Sequence, residues 1–173
     1  MARTFCLLLA ASAIASIGSG CTPALDWKRV EPETGGFSCE MPGDPKVVSQ
    51  QVASAIGPIK FVTYTVALPN KEYIISSAAM PPKAPTATTA QVLDVTRDGA
   101  VRAINGSLLG EKKLKLGSYD GRELLIEKNA GVYLHQRFFL VERRLIQAVA
   151  VSKSSEQDAD IIRFFKSMQL LEK

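Results

Sequence analysis

Few side chains in this sequence have the type and spacing to do chemistry, and the densest group of them is Tyr119, Asp120, Arg122 and Glu123, near Gly117 and Gly121. A guanidinium beside carboxylates at a turn can hold an anionic ligand or a partner's carboxylate by paired hydrogen bonds. The simpler reading is a solvated hairpin in which Arg and Glu pair across neighbouring strands. His135 is the sole histidine and shares a strand parity with Tyr133, Arg137 and Phe139. One imidazole with no carboxylates at ligand spacing builds no multi-histidine metal site, so His135 is expected to be a packed strand residue and no metal or other cofactor is expected. Tyr119, Asp120, Arg122, Glu123 and His135 are therefore the candidate contacts for a ligand or partner, and no residue is assigned a catalytic role. No serine sits in Gly-x-Ser-x-Gly, the strand-to-helix elbow that exposes a hydrolase nucleophile. Lys112, Lys113 and Lys115 make a basic edge, and their alternation with Leu114 and Leu116 fits a solvated strand face.

The cysteines divide by position. Arg3 precedes an apolar run from Phe5 to Ile17, followed by Gly18-Ser19-Gly20-Cys21. The run of roughly 13 residues has the length of a signal-peptide core and falls short of the roughly 20 that cross a bilayer. The small residues before Cys21 let a peptidase bind extended backbone and resemble a bacterial lipobox, although Gly18 stands where an aliphatic residue is more usual. Cys21 then becomes the acylated first residue, a membrane anchor at the cell envelope facing the periplasm. The alternative is an ordinary secretory signal cut near Ala15 or Gly20, which leaves a soluble secreted or periplasmic chain. Cys6 leaves with the signal and Cys21 is consumed by lipid, so Cys39 stands alone in the folded part and alternates with Phe37 and Met41 as a small packed hydrophobe. Without lipid, Cys21 and Cys39 are the only pair available for a disulfide.

Of 173 residues, 21 are Lys or Arg and 17 are Asp or Glu, and loss of Arg3 with the signal leaves 20 basic side chains. So mild a balance permits loose contact with anionic lipid and does not call for nucleic acid as a partner. The expected organisation is a signal peptide at 1–20, a lipidated N-terminus and tether at 21–36, and one globular domain at 37–173, a size that buries a real core. That domain is expected to be monomeric and to fold without the tether.

The elements that position these residues follow from period and punctuation. Residues 22–36 carry Pro23, Pro32, Gly35 and Gly36 and show no period, with Trp27 available to pack on the domain. Phe37 to Met41 and Lys46 to Ser54 flank Pro42-Gly43-Asp44-Pro45 as an opening hairpin, and Ile59 to Leu68 pairs with Lys71 to Ala79 across Pro69-Asn70. Thr88-x-x-Gln91 is a capping box, and Leu93, Ala100, Val101 and Ile104 recur at helical spacing until Asn105-Gly106 stops the helix. Strands at 108–116, 122–128, 132–141 and 144–152, joined by turn-sized connections, predict an antiparallel meander. The last of these is apolar on both parities and asks for cover on both faces. A second helix opening at Ser155, with Ile161, Phe164, Phe165 and Met168 as its core stripe, supplies part of that cover. The class is α+β, a mostly antiparallel sheet covered by two main helices.

Three stretches in order resemble the PsbP-like α/β sandwich, in the form found among exported bacterial lipoproteins. Phe37-Ser38-Cys39-Glu40-Met41-Pro42-Gly43-Asp44-Pro45 is similar to that group's opening strand and Pro-bounded turn. Gly117-Ser118-Tyr119-Asp120-Gly121-Arg122-Glu123 resembles its Gly-x-x-x-Gly-Arg-Glu hairpin, and Phe164-Phe165-Lys166-Ser167-Met168-Gln169-Leu170 its Phe-Phe-x-Ser-Phe-x-Leu ending. The resemblance implies an α/β/α sandwich and a binding scaffold more than an enzyme; the metal histidines of photosynthetic relatives have no counterpart in a chain with one His. Two functional classes follow: a tethered interaction or assembly module with an envelope protein as its partner, or a small-ligand-binding or hydrolytic periplasmic lipoprotein. A deep pocket converging Arg122, Glu123 and His135 favours the second.

Overall fold

Alternating β-branched and aromatic side chains dominate the middle of the chain, and in the computed structural model they become a long antiparallel sheet. The structure describes residues 25–33, 35–52, 58–81, 87–129 and 131–171; the expected signal peptide and Cys21 lie outside these. Along the chain run β1 (Trp27–Val30), β2 (Phe37–Pro42), β3 (Lys46–Val52), β4 (Ile59–Leu68), β5 (Lys71–Ala79), α1 (Thr89–Ala103), β6 (Ser107–Leu116), β7 (Tyr119–Asn129), β8 (Val132–Val141), β9 (Arg144–Ser152), α2 (Ala159–Lys166) and β10 (Gln169–Leu170). Seven strands form one sheet in the order β3-β4-β5-β9-β8-β7-β6, and β1-β2-β10 form a smaller one. Two meanders, β3 to β5 and β6 to β9, are zipped together by the antiparallel β5–β9 pair, and α1 carries the chain from the middle of the sheet to its far edge.

The class is α+β, mostly antiparallel sheet with two helices, as expected, but the sheets dominate. Helix α1 covers only the β7–β8 part of one face, where Leu93 meets Leu124, Ile126, Phe138 and Leu140. Across the sheet, Tyr73, Ile75, Phe139, Ile146 and Ala148 pack against Ile161, Phe164 and Phe165 of α2 and against Phe37, Cys39 and Met41 of β2. Neighbours such as Phe138 and Phe139 feed opposite layers because strand side chains alternate. Each fully buried aliphatic or aromatic side chain in these clusters contributes about 1.5–3 kcal/mol. Helix α1 carries Gly99 and buries fully only Leu93, so packing and its cap hold it; Thr88 Oγ1 accepts from Gln91 N at 3.3 Å and Gln91 Oε1 accepts from Thr88 N at 2.9 Å.

Three expectations are corrected. The opening hairpin does not exist: β2 pairs with β1 and β10, and β3 with β4. Gly43, at φ 128°, and its flanking prolines carry the chain from the small sheet to the large one instead of folding it back. The boundary at 37 is also too late, because Trp27–Val30 pair with Pro42–Cys39 and Val30 is buried. Trp27 does pack on the domain, edge-on to Tyr73 at 6.1 Å between ring centroids. Finally, α2 starts at Ala159, not Ser155. The Ser154 carbonyl is taken by Ser152 Oγ at 2.8 Å and Ser154 Oγ accepts from Glu156 N at 3.0 Å, which makes a turn of these residues; Asp158 then caps the helix by accepting from Ile161 N at 3.1 Å.

Candidate functional site

The β6–β7 hairpin brings Tyr119, Asp120, Arg122 and Glu123 onto one strand, and the pleat then separates them. Arg122 sits on the α1 face, nearly buried, where its Nε donates to Glu111 Oε1 at 3.0 Å and its Nη2 lies 3.8 Å from Asp94 Oδ1 of α1. Glu123 points to the opposite face and accepts from Arg137 Nε at 2.6 Å. That guanidinium also rests 4.7 Å above the Phe165 ring, tying β8 to α2. Asp120 accepts from Lys115 Nζ at 2.8 Å, and this hydrogen bond and charge hold its exposed carboxyl below the usual carboxylate range. Tyr119, half-buried, pairs with Leu116 at the hairpin end.

The two glycines of this hairpin are structural. Gly117 takes the turn at φ 60°, and at Gly121 a Cβ would stand 2.5 Å from the Phe138 carbonyl oxygen and press into the Phe139 ring. The strand thus needs Gly121 because Phe139 crosses directly over it.

His135 is buried on the Glu123 side, with Nε2 3.0 Å from the Ser154 carbonyl oxygen. A carbonyl only accepts, so Nε2 carries the proton and the imidazole is a satisfied strand residue fixing the β9–α2 connection. Glu123 and His135 border one groove of about 340 Å3, and Arg122 is not among the residues that line it. The three do not converge. Cys39 is buried too, and burial pushes its thiol up to about 12, the state of a packed, unreactive side chain. Among the described residues no group of His, Cys, Asp and Glu could hold a metal ion.

Three features escaped the reading of the sequence. Lys71 bridges Asp158 and Asp160 at the start of α2, reaching Asp160 Oδ2 at 3.1 Å. Burial disfavours the charge on Lys71 and on Asp158, but their mutual hydrogen bond, together with Asp160 beside Lys71 and the backbone N–H of Ile161 on Asp158, outweighs it, raising the Lys71 pKa and lowering that of Asp158. An apolar groove of about 310 Å3 lies between α1 and strands β4, β5 and β9, bounded by Phe61, Ala78, Val92, Val95 and Leu145. Val92 and Val95, three apart and off the Leu93 stripe, were the signal for it. A third groove, about 420 Å3, runs between β6 and the end of α2; Leu114, Leu116, Phe165 and Met168 line it, with Lys112 and Lys166 also on its wall.

Comparison with solved structures bears on the fold. The solution structure of cyanobacterial PsbP (CyanoP) from Synechocystis sp. PCC 6803 superposes with a TM-score of 0.58, covering 92% of this chain and 98% of that one at 11% sequence identity. The fold is PsbP-like. A protein of unknown function from Pseudomonas aeruginosa matches with 12% identity over 79% of this chain and 86% of its own, at a TM-score of 0.37 too low to bear on the argument. No protein-family model and no curated protein matches the chain. The PsbP-like likeness is one of architecture, and what the chain does must be argued from its own surface.

Proposed function

We propose that this chain is a membrane-tethered, non-catalytic binding module of the cell envelope, anchored through acylated Cys21 and facing the periplasm. Its layers then form an α/β/α sandwich in which α1 covers one face while α2 and the small sheet cover the other. The single observation that carries the binding role is the free side of β6. This ten-residue strand ends the seven-stranded sheet, is exposed along most of its length and lies beside the groove at the end of α2. By contrast most charged groups of the hairpin already have partners, Arg122 with Glu111, Asp120 with Lys115 and Glu123 with Arg137 of β8, as structural ion pairs do.

The tether is tested by metabolic labelling with a palmitate analogue in the native chain and in Cys21→Ser; label confined to the native chain is expected, and equal labelling overturns it. The binding role is tested by purifying the full chain from solubilised membranes after crosslinking. A discrete, stoichiometric crosslinked species supports it; only uncrosslinked protein at every crosslinker length refutes it. A second reading, a small-ligand-binding lipoprotein, rests on the apolar groove beside α1. Native mass spectrometry separates the two, since that reading requires a small molecule of constant mass on the purified chain.

A further inference from the structure

We propose that the outer edge of β6 binds an extended acidic peptide of a partner protein as an added strand, with carboxylates opposite Lys113 and Lys115 and apolar side chains between them entering the groove by α2. This rests on the binding-module reading and names its partner chemistry. β6 is paired only to β7, so among the described residues the N–H and C=O groups on its other side meet no strand. A strand edge of that kind supplies the main-chain hydrogen bonds of β-augmentation, while alternate side chains set specificity.

The side chains along β6 say what the incoming strand must carry. Lys113 and Lys115 share the face of Arg122 and Asp120, and Leu114 and Leu116 share the opposite face with Gly121 and pack toward the main core. A paired strand places its residues directly opposite these, on the same faces. Acidic residues therefore belong opposite Lys113 and Lys115, and an apolar residue opposite Leu114, next to Phe165 and Met168. Lys112, with its side chain 81% exposed, and Lys166 stand on the same groove, and Lys113 and Lys166 have no ion pair among the described residues. Edge lysines also repel other edges, which protects against self-association. They do so selectively: a basic strand meets unfavourable charge, and an acidic one gains from it.

The test uses the full-length protein in detergent and a fluorescent peptide of alternating Val and Glu, read by anisotropy. Controls are the Val–Lys peptide, the Val–Glu peptide N-methylated at alternate residues, and vesicles containing anionic phosphatidylglycerol. The Val–Glu peptide is expected to bind, with affinity falling about tenfold in the double variant Lys113→Glu, Lys115→Glu. Both positions are exposed, and unchanged circular dichroism shows that the variant still folds. N-methylation is expected to abolish binding, because it removes donors the edge needs. Equal binding of the N-methylated peptide, or binding to anionic vesicles with none to the peptide, overturns the proposal. A crosslinked partner whose capture is unaffected by the double variant overturns this edge alone and leaves the binding-module reading standing.

Discussion

A mature chain begun at Gly35 loses β1, and the consequence can be worked out from the contacts. Val30 is buried at 8% exposure, and burying such a side chain contributes about 1.5–3 kcal/mol. Trp27 sits edge-on to Tyr73, a contact that adds about 0.5–1.5 kcal/mol beyond its area. The Arg163 guanidinium lies 4.6 Å from the Trp27 centroid, for roughly another 0.5–1 kcal/mol at this partly exposed site. Deletion is therefore expected to cost about 2.5–5.5 kcal/mol against a typical total of about 5–15. It also leaves the two residues of β10 as the only strand paired with β2 among the described residues. Urea denaturation of chains begun at Leu25 and at Gly35, followed by far-ultraviolet circular dichroism because Trp27 is the sole tryptophan, should give midpoints about 2 M apart. Val30→Ala in the longer chain should move part of that way. Coincident midpoints for the two truncations would show that β1 contributes nothing and would restore a boundary at residue 37.

Phe164→Ala, removing a fully buried ring in contact with Tyr73 and Phe165, should cost about 3–5 kcal/mol, and Ile162→Ala on the exposed side of α2 under about 1. Equal costs in chemical denaturation would mean that α2 does not pack by this face. Gly121→Ala should destabilise by about 1–3 kcal/mol through the clash with Phe138 and Phe139, whereas Gly99→Ala, with nothing near its Cβ, should stabilise by about 0.5–1. Melting temperatures moving in the same direction for both would sink the steric argument. Asp158 has a folded pKa below its ordinary 3.8, so its charged form is the one that stabilises. That contribution is complete above the unfolded value and is lost as pH falls through the lower folded value. Asp158→Asn, which keeps a capping oxygen but not the charge facing Lys71, should cost under about 1 kcal/mol at neutral pH and flatten the stability decline below about pH 4. An acid limb as steep as that of the parent chain would exclude Asp158 as its source.

What could be read from the sequence was local, and what could not was partnership. Pro69-Asn70 between two β-branched runs encodes its own hairpin, because both strands and the turn lie within one window; the register from Phe61↔Ala78 to Leu68↔Lys71 follows. Thr88 and Gln91 likewise announce α1 from within four residues. Phe37 to Met41 alternates just as clearly, yet its partners lie on either side of it in sequence, at Trp27–Val30 and at Gln169–Leu170. Period two says that a segment is a strand and which face is apolar, but not which edge it joins. The four residues Trp-Lys-Arg-Val carry no pattern long enough to count as a strand. They become one only where Tyr73 and Arg163, distant in sequence, enclose Trp27. The candidate site divides along the same line. Adjacency of Arg122 and Glu123 on a strand already implies opposite faces, so their failure to converge was there to be read. Their counter-ions, Glu111 for Arg122 and Arg137 for Glu123, come from the strands on either side. The groove beside β6 depends on Lys166 and Met168 arriving from the end of α2, some fifty residues further along the chain. The features with most room for function are thus those made by long-range assembly, and the short motifs that stand out in the sequence, Gly117 to Glu123 above all, mark the turns and close packing that make the assembly fit.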